Sequence, residues 1–284
     1  MSSSVGSLPY FDRIFEESVG KKSKLAEAFS THVHWGYWNE PEKAEISLES
    51  FFAATDRLSE QHFSMTDIKD GMKILDTGCG FGGTLGLLNK SYSKMDLHGL
   101  NVDARQVERA RTKVLPREGS DNKITFKVGD ACQLDYPDNS FDMVIAVECI
   151  FHFSSREKYL QEVKRILKPG GKLVVSDVVP FGPTLVPFVL MCLPYMKKMK
   201  KFYGDLGKPA TQFDYKILAK KTGLKMGRVK NITAGTVPTY TILEKFCSST
   251  GPEADEIKKL YRFQKLIAKI GFHRYIILSF TKPE

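Results

Sequence analysis

The segment Ile74-Leu-Asp-Thr-Gly-Cys-Gly-Phe-Gly-Gly-Thr-Leu-Gly86 leaves this chain few folds to choose from. A largely apolar run, Met72 to Leu75, ends in the acid Asp76 and a glycine turn, Gly78-x-Gly80-x-Gly82, and a helical pattern follows. This is a strand delivering its carboxyl end into a tight loop and a helix N-terminus, the place where an open parallel α/β sheet binds ligands. Glycines there let the backbone approach a ligand with no Cβ in the way. A dinucleotide-binding fingerprint begins similarly, so the spacing alone leaves the ligand open.

From residue 70 onward strands and helices alternate. The pattern predicts strands at 73–76, 96–101, 124–128, 142–147 and 172–177, with helices at 83–91, 104–115 and 155–167 between them. Alternation of this kind implies a parallel sheet covered on both faces. Beyond Asp177 an insertion at 181–206 precedes a helix at 213–223 and a strand at 225–233. A second helical insertion, 241–271, leads to a last strand, Arg274–Phe280. Ahead of the core, helical spacing recurs at 8–30 and 46–65, on either side of the aromatic stretch His32-Val-His-Trp-Gly-Tyr-Trp38.

Asp76, two residues before the first glycine, makes the loop resemble the first motif of S-adenosylmethionine-dependent methyltransferases, whose acid helps hold the methionine end of the cofactor. Three further stretches stand in the matching order. His98-Gly-Leu-Asn-Val-Asp103 resembles the second strand end, where the family contacts the ribose. Val128-Gly-Asp-Ala131 resembles the family's Gly-Asp-Ala, whose acid meets the adenine amine. Val163-Lys-Arg-Ile-Leu-Lys-Pro-Gly-Gly-Lys-Leu-Val-Val175 is similar to a family signature of helix, Pro-Gly-Gly turn and strand. The resemblance covers roughly residues 70–180. It implies a doubly wound, Rossmann-like seven-stranded sheet, mostly parallel with a final antiparallel strand, and S-adenosyl-L-methionine as cofactor. One domain spanning 1–284 is expected: a helical cap at 1–69, the cofactor-binding core at 70–180, and lid insertions at 181–212 and 241–271.

The expected cofactor residues are Tyr37, Asp76, Gly78, Gly80, Gly82, Asn101, Gln106, Asp130, Ala131 and Glu148. Asn101 departs from the commoner family pattern, an acid at this position, since an amide accepts only through its carbonyl oxygen. The sterol and tocopherol branches carry a neutral polar residue there, so Asn101 is preferred for the ribose. Asp103, two residues on, is the alternative for the ribose, unless it caps the helix starting at Ala104. In His34-Trp-Gly-Tyr-Trp38 the choice lies between a latch on the sheet and closure over the methionine moiety, with Tyr37 as the contact.

Methyl transfer to a hydroxyl needs positioning, exclusion of water and a home for one proton. His152 and Asp177, at the ends of the fourth and fifth strands, resemble the catalytic pair of the sugar-methylating branch. Against this stands a structural reading in which His152 is a satisfied cap or core histidine and Asp177 closes a turn before Pro180. No Asp-Asn pair follows the fifth strand, where Asp177-Val-Val-Pro180 stands, so no metal is expected. Val147-Glu-Cys-Ile150 replaces the Pro-Pro-aromatic motif of amino-methyltransferases. The acceptor implied is a bulky apolar natural product methylated on oxygen. Carbon methylation of a prenylquinone or sterol-like acceptor, or a non-catalytic cofactor-binding partner, is the alternative.

The net charge of +9 reads as ordinary lysine-rich solvated helices, with no interleaving of aromatics to suggest nucleic acid. Five cysteines without metal spacing read as free thiols of a reducing, cytoplasmic compartment, and the polar N-terminus shows no secretory pattern. Segment 173–196 is the most apolar, yet four prolines and Asp177 interrupt it, short of the about 20 residues a membrane span requires. Within it, Phe181–Met196 is expected either to pack on the core or to line the acceptor pocket, because exposure would leave a sticky patch.

Overall fold

The computed structural model describes residues 9, 12, 29–204, 206–246 and 252–284. Seven strands form one sheet: β1 (Lys73–Thr77), β2 (Asp96–Asn101), β3 (Lys123–Val128), β4 (Phe141–Ala146), β5 (Leu167–Pro180), β6 (Lys225–Asn231) and β7 (His273–Thr281). Their order is β3-β2-β1-β4-β5-β7-β6, with β7 antiparallel to both neighbours and the rest parallel. The chain leaves β1 to build one half of the sheet and returns to β4 beside β1. The carboxyl ends of β1 and β4 therefore flank the switch point where such sheets bind ligands.

Period-two alternation divides the sheet's side chains between two cores. Leu75, Val144, Leu173, Val175, Leu278 and Phe280 face α4 (Arg156–Ile166) and α7 (Gln212–Thr222), which contribute Tyr159, Leu160, Val163 and Tyr215. Ile74, Leu97, Met143, Ile145, Val174 and Ile277 face α1 (Leu48–Phe63), α2 (Gly83–Ser91) and α3 (Ala104–Lys113), through Leu58, Leu85, Leu88, Val107 and Ala110. Helix starts are set by local chemistry. Ser47 and Ser155 accept from the backbone three residues on, Asp103 accepts from Arg105 N, and Thr211 with Asp214 forms a capping box.

The expected elements from 46 to 177 lie where the pattern puts them, within a few residues at their ends. β5 runs from 167, because the Pro-Gly-Gly turn is stitched to the last strand's exit: Gly170 N donates to Lys282 O and Lys282 N to Gly171 O. The helix expected from 241 starts at Thr233 instead, as α8 (Thr233–Phe246), carrying Pro238 within it and Gly235 near its start. Proline lacks an N–H and clashes with the preceding turn, which disfavours a helix running through Pro238. Gly235 is there for contact: a Cβ on it would lie 2.2 Å from Tyr37 Cε2. The predicted helix 8–30 falls almost wholly outside the described residues.

After β5 the chain forms α5 (Leu185–Cys192), a 3-10 turn (Leu193–Tyr195) and α6 (Met196–Tyr203), and the second insertion supplies α9 (Pro252–Lys269). Phe188, Met191, Cys192, Tyr195, Met199 and Phe202 pack on Leu260, Phe263 and Ile267 of α9, with Tyr195 stacked on Phe263 at 3.9 Å between centroids. The expectation that this segment is hidden holds for that face alone. Val186, Leu190, Leu193 and Met196 are each more than half exposed.

Candidate active site

At the carboxyl ends of β1, β2 and β4 lies a cavity of ≈ 870 Å³, its open mouth included, a size ordinary for a small-molecule site. Asp76, Gly78, Gly80, Asn101, Asp130, Ala131, Glu148 and His152 line it together. These eight come from four separate sequence motifs, converging because parallel strands end on one edge.

The glycine loop is shaped by backbone geometry. Gly78, Gly80 and Gly82 have φ of +77°, +53° and +84°, which L side chains rarely adopt. Gly78 N and Cys79 N both donate to Leu100 O, tying the loop to the end of β2. A Cβ on Gly78 would lie 2.6 Å from Cys149 Cβ, so the loop also abuts the residue after Glu148. Gly82 stands outside the cavity. It is the N-cap of α2, where a Cβ would meet Phe126 at 2.9 Å, and its role is packing.

Two acids, Asp76 (buried) and Glu148 (half-buried), dominate the electrostatics. Burial raises Asp76 to about 7, and its Oδ1 has no hydrogen-bond partner. Burial likewise raises Glu148 to about 7, opposed by the Tyr275 hydroxyl at 2.7 Å and the Trp35 N–H at 3.0 Å, both donating to Oε1. Glu148 adopts φ +49°, a left-handed conformation that costs a non-glycine residue on the order of 1–3 kcal/mol and turns up at functional sites. Cys79 and Cys149, both buried beside these acids, have thiols pushed up by burial and by Asp76, so neither is a nucleophile.

Asn101 lines the cavity while its Nδ2 donates to Gln106 Oε1 at 3.0 Å and its Oδ1 accepts from Asp103 N. Gln106 thus sits behind Asn101 as its support and outside the cavity. Asp103 caps α3 and pairs with Arg105, away from the lining. Asp130 Oδ1 accepts from Cys132 N at 2.8 Å, which fixes the loop after β3.

The segment ahead of the core reaches the cavity through residues other than the expected one. Thr31, His32, Val33 and His34 line it. Tyr37 does not: its N–H donates to Ala54 O, its carbonyl accepts from Arg57, and its ring packs on Gly235. Of the two readings open for this stretch, Tyr37 takes the latch. His32 Nε2 donates to Asp56 Oδ1 at 2.9 Å, and His34 Nδ1 donates to Trp35 O while its Nε2 accepts from Ser59. Burial and the neighbouring His32 hold His34 well below the usual imidazole range, so it stays neutral. Proximity of these histidines to the motif could not be read from sequence separation.

His152 ends a 3-10 turn, Ile150–His152, separated from β4 by Val147, Glu148 and Cys149, and it is half-buried against Phe151 in the cavity wall. Asp177 is absent from that wall. It is 1% exposed, and its Oδ2 accepts from Arg156 Nη2 at 3.0 Å and from the Tyr215 hydroxyl at 2.6 Å. Burial pushes its carboxyl up, against the pull of Arg156 and Tyr215, and Oδ1 has no partner. The expected pair is thus divided, with Asp177 tying α4 and α7 to β5.

An adenosyl cofactor bearing a sulfonium and an ammonium fits these groups. Asp76, buried, and Glu148, half-buried, would face its positive charge, and the unpartnered Asp76 Oδ1 would accept a donor. The residues that would hold it are Asp76, Glu148 and the glycine loop for the cationic end, Asn101 for the ribose, and Asp130 with Ala131 for the adenine.

Residues 75–175 match the family described as "Methyltransferase domain". Methyltransferase GfsG of Streptomyces halstedii is 35% identical over 173 residues, covering 61% of this chain and 60% of that protein. The 27-O-demethylrifamycin SV methyltransferase of Amycolatopsis mediterranei is 26% identical over 266 residues, covering 92% and 93%. The chain thus spans less than two thirds of the first relative's length and nearly all of the second's. A mycolic acid cyclopropane synthase solved with S-adenosylhomocysteine shares the fold, with a TM-score of 0.75 at 15% identity, over 89% of this chain and 90% of that one.

Three outcomes are expected. Gly80→Val, which forces about 1–3 kcal/mol of backbone strain and a Cβ 3.0 Å from Val33 Cγ2, abolishes cofactor binding in calorimetry while circular dichroism stays unchanged. Arg156→Leu strands Asp177 and lowers the unfolding free energy in urea by about 3–5 kcal/mol. The third concerns pH. A carboxyl raised from 3.8 or 4.5 to about 7 keeps its proton below that value, and a cation binds only the ionised form. Cofactor affinity therefore rises with pH and levels off above about 7, by up to about tenfold per unit for each carboxyl that must ionise. Titration at pH 6 and pH 8 reads this directly. Residues 75–175, which match the methyltransferase domain family, thus carry the acid-flanked glycine loop and the central strands of the Rossmann-like sheet.

Proposed function

We propose that the protein methylates a hydroxyl oxygen of a bulky apolar small molecule, with His152 as the general base. The observation that carries this is the presence of the half-buried His152 imidazole in the same cavity wall as Asp76, Asp130 and Glu148. S-adenosylmethionine, when bound, supplies an electrophilic methyl carbon and a good leaving group. The chain's own work is then to position and desolvate the acceptor and to remove one proton. A ring nitrogen of His152 takes the hydroxyl proton as the oxygen becomes alkylated, help worth about 10²–10⁴-fold in rate.

Phe153, Val147 and Cys149, next to His152 in the wall, give the acceptor an apolar surround. The relative aligned over 92% of this chain is named for a methyl on an oxygen of demethylrifamycin, which supports an oxygen acceptor over a carbon one. Glu148 is held at Oε1 by the Trp35 N–H and the Tyr275 hydroxyl, which suits it to orienting the cofactor.

His152→Ala is expected to lower turnover about 10²–10⁴-fold on a hydroxylated apolar acceptor, with cofactor affinity by calorimetry nearly unchanged. His152→Gln, which keeps polarity but is no base near neutral pH, falls by a similar factor. Isotope-labelled methyl followed into the product by NMR shows oxygen attachment. Attachment to carbon, or a folded His152→Ala enzyme with full turnover, sinks this reading.

A further inference from the structure

The outer face of α5 and α6 is apolar, continuous and uncovered by any described residue. Leu185, Val186, Val189, Leu190, Leu193 and Met196 are 36%, 70%, 40%, 60%, 54% and 55% exposed. At 100° per residue they fall on one side of the segment, opposite the face that Phe188, Met191, Cys192, Tyr195, Met199 and Phe202 pack on α9. The exposure is therefore a second apolar face on a segment whose first face is satisfied. A monomer rarely keeps such a patch without a use for it.

Charge says what the face meets. Residues 181–203 contain no Asp or Glu, and the apolar face runs directly into Lys197, Lys198, Lys200 and Lys201. Lys198 pairs with Glu256 of α9, while Lys197 stands exposed beside Met196. Aliphatic side chains giving way to lysines is the layering of a helix lying in a bilayer boundary, with acyl chains below and anionic headgroups around the ammonium groups. No helix among the described residues is long and apolar enough to cross a membrane, so contact would be from one side.

We propose that α5 and α6 dock on an anionic lipid surface. The other side of the segment is anchored to the protein, where Tyr203, half-buried at the end of α6, donates to Gln264 of α9.

The test is co-sedimentation of the full chain with phosphatidylcholine vesicles, with and without phosphatidylglycerol. Binding is expected to vesicles that contain phosphatidylglycerol, weakening as salt rises. Lys197→Gln should lower the partition coefficient about fivefold. Leu190→Asp with Leu193→Asp, both at exposed positions, should abolish binding while circular dichroism and cofactor affinity stay unchanged. Equal binding to both vesicle types, or none, overturns the proposal. So does a wild-type dimer in analytical ultracentrifugation that the double aspartate variant turns monomeric, since the face would then serve a second copy.

Discussion

Everything at the functional edge depends on keeping two carboxyls out of water. Asp76 and Glu148 leave adjacent strands, β1 and β4, and burial holds both near neutrality instead of in the ordinary carboxylate range. A buried acid without a cation is a standing cost. The fold accepts it because a ligand carrying positive charge relieves it, so the preference for a cationic cofactor is built into the apolar surroundings. Polar walls around the same two acids would lower both and weaken that discrimination.

Glu148 also makes the site a joint between distant parts of the chain. Its Oε1 collects the Trp35 N–H from the segment ahead of the core and the Tyr275 hydroxyl from β7, and its own N–H donates to Ser176 Oγ on β5. The left-handed backbone at Glu148 places its carboxyl where two elements reach it and its N–H where a third accepts. His32 and His34 pin the same segment to α1 through Asp56 and Ser59, with Val33 brought against Gly80. Closure over the glycine loop is thus secured by polar bonds at both ends, and the small residue at Gly80 leaves room for it.

The core was legible because its signals are local. Apolar runs of strand length, the glycine loop after Asp76, and the Pro-Gly-Gly turn each report a backbone requirement of their own neighbourhood, and the structure puts β1, α2, β2 and β5 where they indicate. Where the Tyr37 ring goes depends on Gly235, about two hundred residues further on, whose missing side chain makes room for it, and no spacing within the aromatic loop reports that. Gln106 and Gly82 belong to the site's support, since adjacency in sequence to Asn101 and Gly80 says nothing of which side of the loop they face. Pro238 hid the start of α8, where tertiary packing overrides a poor local propensity.

Asp177 and His152 illustrate how one strand-end rule yields two different chemistries. Asp177 lies within β5 and His152 beyond the end of β4, and residue type alone suits either to acid-base work. Asp177 is followed by strand, since β5 continues to Pro180 against β7, and so its side chain is sealed between sheet and helices, where Arg156 and Tyr215 answer its charge. His152 is reached after β4 has ended, through a turn that carries the chain out of the sheet and into the cavity wall. A base must exchange its proton with the acceptor and then with solvent, which a half-buried imidazole at a cavity mouth can do and a carboxyl locked in an ion pair cannot. Whether the strand has ended by the time each residue is reached, more than the residue itself, separates the candidate base from the structural acid.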